Sequence, residues 1–266
     1  MRVGIVGLGS IGRTVARNLH EGKIPKAVLA GATVRDRAKA EAFLTEIGCD
    51  APILPIEVLA AASDIVVECA PPGILADIAA SVLGCGKKLM VLSAGVLLRH
   101  PELIALAKEH GGQIIVPTGA LIGFDAVSAA AESDIQSVKM ITRKPVKGLL
   151  GAPYLLKHKI DIANLREPLL VFEGSARDAA AGFPENVNVA AALSLAGIGA
   201  DRTTIEIWAD PSVTRNIHRV VVEADSARFE MSIENVPSTN PKTGRITALS
   251  VLAALRKMTA PLRVGT

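Results

Sequence analysis

Arg2-Val3-Gly4-Ile5-Val6 runs directly into Gly7-Leu8-Gly9-Ser10-Ile11-Gly12, and Arg13-Thr14-Val15-Ala16-Arg17-Asn18-Leu19 continues with helical periodicity. The first five residues form a short apolar run rich in β-branched side chains, which predicts a buried parallel strand. A G-x-G-x-x-G sequence on its own is weak evidence, since glycine-rich turns are common. With a strand before it and a helix after it, the pattern predicts a dinucleotide-binding βα turn. In that reading Gly7 allows the tight turn, Gly9 lets a pyrophosphate approach the backbone, and Gly12 brings the helix close to the strand. The free N–H groups and positive end of the helix face the phosphates. Gly7, Leu8, Gly9, Ser10, Ile11 and Gly12 are therefore candidate cofactor-binding residues.

The rest of the chain repeats the alternation. Ala27–Val34 reads as the second strand, with a helix from about Ala38 to Ile47. An acidic residue usually ends this strand and holds the ribose 2′-OH. Here Val34 takes that place, Arg35 follows, and Asp36 comes late. Arg35 suits a 2′-phosphate through a charge-assisted fork, or is simply a solvated loop residue. Asp64–Ala70 is a third strand. Ala70 precedes Pro71-Pro72-Gly73, where a nicotinamide-side loop would lie, and is a further candidate cofactor contact. Helix Ile74–Leu83, strand Lys88–Leu92, loop Ser93-Ala94-Gly95, helix Pro101–His110 and strand Gln113–Val116 follow. Units of this length predict a doubly wound parallel sheet, a Rossmann arrangement.

After Pro117 the pattern changes. A helix (Phe124–Ala131), a strand (Val138–Thr142), a Gly- and Pro-containing loop to about Pro168 and an apolar segment (Leu169–Phe172) come first. Two helical stretches (Ser175–Gly182 and Asn186–Leu195) are next. Three strands (Thr203–Ala209, Thr214–Ala224, Arg228–Glu234) and a last helix (Thr247–Met258) complete the chain. Consecutive strands predict a mixed or antiparallel sheet, hence an α/β chain with a C-terminal α+β domain. The expected division is 1–118 as the dinucleotide-binding domain and 119–245 as a catalytic and dimerisation domain. Residues 246–266 form a helix that could return to the first.

The composition narrows the function classes. The 266 residues are 50% hydrophobic and 21% charged, as in a soluble globular protein, and the 3% aromatic share leaves the core to Ala, Val, Leu and Ile. A net charge of +3 is too small to argue for a nucleic-acid partner. No apolar run reaches membrane-spanning length, and a chain that opens on a strand is expected to carry no signal peptide. Cys49, Cys69 and Cys85 lack C-x-x-C spacing and read as free, small buried residues in a reducing cytoplasm.

Of five histidines, His20, His100, His110 and His158 fall near helix ends or loops and read as solvated. His218 differs. In Thr214–Glu223 alternate residues share a face, which sets Arg215, Arg219 and Glu223 against Asn216, His218, Val220 and Val222. On the less charged face an imidazole needs a partner, and by pattern alone a satisfied structural histidine fits better than a catalytic one. No ligand set at metal spacing accompanies it. Asn186 and Asn188 bracket a helix start, as N-caps or as amides meeting a ligand.

Several stretches together resemble the L-aspartate dehydrogenase family. They are Gly7–Arg13, Gly119–Ala126, Thr142–Pro145, Val171–Ala180, Phe183–Ala191, Ala209–Pro211, Asn216–His218 and Asn240–Thr243. Within them, Phe172–Asp178 and Asn186–Ala191 are the most specific. The resemblance implies NAD or NADP as cofactor and oxidation of L-aspartate to iminoaspartate, which hydrolyses to oxaloacetate and ammonia and can feed NAD biosynthesis. It implies that Ala120 and Asn188 bind the cofactor, that His218 is catalytic, and that the protein is a homodimer with homoserine-dehydrogenase-like architecture. A His titrating near neutrality would serve both proton steps. Arg143 and Lys242 are candidates for the substrate carboxylates, or surface cations. The same fold would also suit a non-catalytic NAD(P)-binding sensor, or a dehydrogenase for another small amino-acid-derived substrate.

Overall fold

The apolar runs of the N-terminal half become five parallel strands in the order β2-β1-β3-β4-β5. They are β1 (Arg2–Val6), β2 (Val28–Thr33), β3 (Ile65–Glu68), β4 (Lys88–Val91) and β5 (Gln113–Ile115). The computed structural model describes residues 1–184, 188–238 and 244–265. The helices of this half are α1 (Ser10–His20), α2 (Arg37–Glu46), α3 (Ile56–Ala62), α4 (Leu75–Leu83), α5 (Ala94–Leu97) and α6 (Glu102–His110). Strand alternation builds two cores. Val3, Ile5, Ile65, Val67 and Met90 pack with α1 and α2 residues Val15, Leu19 and Phe43. Val66, Leu89 and Val91 pack on the opposite side with Leu59, Leu75, Val82 and Leu103 of α3, α4 and α6. Two elements differ from expectation. Helix α3 was not anticipated, and Ser93-Ala94-Gly95, expected as a loop, opens the short helix α5. Its four residues are all buried, so tertiary packing overrides a weak local propensity.

The second half contains α7 (Phe124–Ala130), β6 (Ile135–Lys144), α8 (Pro153–Lys157), β7 (Leu169–Ser175), α9 (Ala176–Gly182) and α10 (Asn188–Ala196). Strands β8 (Thr203–Ala209), β9 (Asn216–Ala224) and β10 (Arg228–Asn235) follow, and α11 (Arg245–Thr259) ends the chain. The sheet order is β10-β9-β6-β8-β7. Strands β6 and β8 run parallel and every other pairing is antiparallel, so the sheet is mixed. Its inner face carries Val138, Met140, Ile205, Ile207, Val220 and Val222, all buried. Strand β6 is twice the expected length and carries Lys144 into the sheet.

By contacts, Met1–Gly119 and Thr247–Val264 form one unit and Ala120–Ile246 another. Val251, Leu252 and Leu255 of α11 join the first core. Among the described residues no helix is long and apolar enough to cross a membrane. All three cysteines are free, but Cys49 and Cys69 are only half-buried and Cys85 is exposed, contrary to the reading of each as buried. Cys85 follows the C-terminal end of α4, between Gly84 and Gly86. His100 is half-buried and bonded to Glu102 at 2.7 Å, and His158 lies against the Tyr154 ring with centroids 4.2 Å apart.

Candidate functional site

In the first unit the glycine loop is built from within. Gly7 has φ +93°, and a Cβ there would lie 2.6 Å from the Cys69 carbonyl oxygen. A Cβ on Gly12 would lie 2.0 Å from the Gly7 carbonyl oxygen. These two glycines are required by the chain itself. Gly9 is not: its φ is −80°, and a Cβ there would meet nothing within 4 Å. Nothing in the protein explains the missing side chain, whereas a phosphate approaching the backbone does. Gly9 caps α1 without a side-chain bond, and the first turn holds no acid, so nothing on the helix neutralises its positive end. Arg13 Nε donates to the Leu8 carbonyl at 3.0 Å and braces the loop. The residues present fit a dinucleotide. Gly9→Ala is expected to weaken dinucleotide affinity about tenfold, or about 1.4 kcal/mol, at unchanged melting temperature. Gly12→Ala, in contrast, should lower the melting temperature itself. Calorimetric titration and thermal melts of both variants check this pair.

The strand ends beside this loop are tied by a residue not singled out in the sequence. Glu68, 1% exposed at the end of β3, accepts from the Ala70 N–H (3.1 Å), the Leu92 N–H (3.0 Å), the Ser93 N–H (2.9 Å) and the Ser93 hydroxyl (3.1 Å). Burial pushes its pKa up, while the backbone N–H groups, which can only donate, favour the carboxylate. Glu68 thus fixes Ala70 and the start of α5. At the end of β2, Arg35 is exposed. The Asp36 carboxylate accepts from the Lys39 N–H at 3.1 Å and pairs with its ammonium at 2.9 Å, so it serves as the N-cap of α2.

In the second unit, one end of the apolar sheet face turns polar. Thr142 and Lys144 of β6, His218 of β9 and Asn235 of β10 are each buried on it. Register sets His218 opposite Thr142 on one side and Ile233 on the other, and Asn235 opposite Asn216. His218 Nδ1 lies 3.1 Å from the Thr142 hydroxyl oxygen. Burial pushes the imidazole pKa down to about 3, and the Lys144 charge adds to the shift. Burial likewise pushes the Lys144 ammonium down to about 8. His218 is therefore neutral at neutral pH and does not titrate there, a correction to the expectation of a near-neutral imidazole; desolvation is the reason.

Arg143, one residue from Lys144, projects to the other face of the sheet. It pairs with Asp210 at 3.1 Å and lies over the Trp208 ring at 5.0 Å. Ala120, in a turn, accepts at its carbonyl from Asn235 Nδ2 at 2.8 Å. Asn188 is the first residue of α10. Lys242 and Asn186 lie outside the described residues. Among the described residues no group of three or more His, Cys, Asp or Glu could hold a metal. Thr142 closes the expected strand and Lys144 lies two residues beyond it; alternation from Val138 through Met140 continues to both, so their shared face is legible in the sequence.

An open dinucleotide cradle in one unit and a buried, neutral imidazole beside a buried lysine in another define a nicotinamide-dependent oxidoreductase. Residues 7–117 match the family described as homoserine dehydrogenase, NAD binding domain, and residues 125–258 match aspartate dehydrogenase, C-terminal. The L-aspartate dehydrogenase of Bradyrhizobium diazoefficiens is 58% identical over 100% of this chain and 94% of that one. L-aspartate dehydrogenase 3 of Bordetella bronchiseptica is 53% identical over 99% and 97%. The crystal structure of aspartate dehydrogenase from Thermotoga maritima shares the fold, with a TM-score of 0.75 at 24% identity over 100% and 99% of the two chains. The chain belongs to the L-aspartate dehydrogenase family.

Proposed function

We propose that this protein oxidises L-aspartate with NAD or NADP, giving iminoaspartate, which takes up water and releases oxaloacetate and ammonia. The observation that carries the reading is the buried Thr142–Lys144–His218 group in a chain 58% identical to an L-aspartate dehydrogenase along its whole length. Bound nicotinamide supplies the hydride acceptor; Gly7–Gly12, Ala70, Ala120 and Asn188 are the residues proposed to hold the dinucleotide.

The remaining steps belong to the chain. The substrate amine must lose a proton before its Cα gives up hydride. With Nδ1–H donating to Thr142, His218 Nε2 carries the lone pair that takes that proton. Lys144 lies on the same face and is the cation proposed to receive a substrate carboxylate, a role that the Asp210-paired Arg143 on the opposite face supports less well. A bound dicarboxylate offsets the Lys144 charge and raises the basicity of His218 where the proton must go. Hydride loss leaves an iminium, to which water adds with loss of a proton to solvent. The protonated imidazole then returns its own proton to the carbinolamine nitrogen, so that ammonia can leave.

The deciding assay is the absorbance of reduced nicotinamide with L-aspartate against a panel of other amino acids, with NAD and with NADP. Turnover of another substrate alone would identify a same-fold dehydrogenase. Dinucleotide binding without turnover would identify a sensor. NADP should be accepted at least as well as NAD, because Asp36 is engaged as a cap and Arg35 is exposed. A charge-assisted contact contributes roughly 1.5–3 kcal/mol, so Arg35→Ala should weaken NADP about ten- to a hundredfold and leave NAD nearly unchanged. Equal losses, read by titration, would count against Arg35.

A homodimer formed through the outer sheet face, where Ile141, Trp208, Ile217 and Val221 are only half-buried, accords with the family resemblance; light scattering tests it. Free cysteines accord with a cytoplasmic enzyme, and iminoaspartate with a supply to NAD biosynthesis.

A further inference from the structure

Asn235 ends β10 on the same sheet face as His218, one alternation step beyond Ile233, and is 3% exposed. Its Nδ2 donates to the Ala120 carbonyl at 2.8 Å. A carbonyl oxygen can only accept, so this bond fixes which way round the amide lies. Oδ1 is thereby turned away from Ala120. It is buried and has no hydrogen-bond partner, the one such side-chain atom among the described residues. A lone buried acceptor is costly to maintain and calls for an explanation. Gly244 keeps the amide unhindered: a Cβ there would lie 3.2 Å from Oδ1 and 3.4 Å from Cγ.

We infer that Asn235 is a ligand-binding residue whose Oδ1 accepts an N–H from a bound reactant while Nδ2 holds the Ala120 carbonyl in place. The inference rests on the proposed dehydrogenase reading. Two reactants carry such a donor: the nicotinamide through its carboxamide, and the substrate through its α-amine. The chemistry required of the ligand is the same in both cases, a polar N–H brought to a dry acceptor.

The test compares each reactant with an analogue lacking the N–H, on wild-type protein and on Asn235→Leu. One pair is NAD against the 3-acetylpyridine dinucleotide, titrated calorimetrically. The other is L-aspartate against succinate, titrated into protein loaded with reduced dinucleotide. Loss of one neutral hydrogen bond corresponds to about tenfold in affinity. Asn235→Leu should weaken the N–H-bearing member of one pair by about that factor and leave its analogue within about twofold. A split in the dinucleotide pair assigns the carboxamide, and a split in the other pair assigns the amine. Equal losses within both pairs, or no loss in either, overturn the inference and leave Asn235 a brace for Ala120. If Asn235→Leu does not fold, Gly244→Ala, which presses on the amide without removing it, is measured in the same way. Wild-type protein that bound no L-aspartate would refute the aspartate reading, and the dinucleotide pair would then decide the role of Asn235 alone.

Discussion

His218→Asn is expected to lower kcat by about 10²–10⁴-fold, the usual cost of removing a positioned acid–base group. Asn keeps the size of the side chain and a bond to Thr142, but it cannot take a proton from the substrate amine. Affinity for NAD or NADP should stay within about twofold of wild type, because no part of the glycine cradle is touched. The same variant carries a second signature. In the folded protein the imidazole pKa is pushed down to about 3 from an ordinary 6.5. The unfolded chain therefore binds the proton more tightly, and stability is fully present above pH 6.5 and is lost as pH falls towards 3. Without the imidazole, the melting temperature of His218→Asn should fall less steeply than that of wild type across this window. A merely structural histidine predicts lower stability at neutral pH and nearly full turnover per folded molecule. Steady-state kinetics and melts from one purified batch separate the two, and a fully active variant would end the catalytic assignment.

The parts of this molecule that were legible in sequence are those written locally. The Gly7–Gly12 turn needs only its own glycines and the strand and helix that flank it. The face of His218 follows from period-two alternation, and Asn216, Val220 and Val222 share it as expected. What could not be read depends on partners far along the chain. Glu68 looks like one more residue of an apolar strand until the Leu92 and Ser93 N–H groups, 24 and 25 residues away, arrive at its carboxylate. The orphaned oxygen of Asn235 is defined by Ala120, 115 residues away. Arg143 and Lys144 show how one residue decides function in a strand. Both are cations in the same resembling stretch, but the pleat sends Arg143 to Asp210 and Lys144 to His218. The burial that makes His218 neutral likewise depends on β6 and β10 neighbours, Thr142 and Ile233, that no window of sequence contains.

Lys144→Met should show the largest loss at the level of substrate capture. A buried carboxylate left without its cation costs about 3–5 kcal/mol, so kcat/KM for L-aspartate is expected to fall by about 10²–10⁴-fold, chiefly through KM. Stability should move the other way. Burial pushes the Lys144 pKa down to about 8 from 10.5, so the unfolded chain holds the proton more tightly and the charged lysine penalises the fold below pH 8. Each pKa unit corresponds to about 1.4 kcal/mol, which makes the penalty on the order of a few kcal/mol. Met fills similar space without a charge, and its melting temperature at pH 7 should equal or exceed that of wild type. Lys144→Arg provides the complementary arm. In wild type, kcat/KM should decline above pH 8 as Lys144 loses its proton, whereas guanidinium stays charged throughout. The substrate amine titrates identically in both enzymes, so the difference between their pH profiles isolates residue 144. A KM for L-aspartate unchanged in Lys144→Met, or superimposable alkaline limbs for wild type and Lys144→Arg, would remove the lysine from the substrate site.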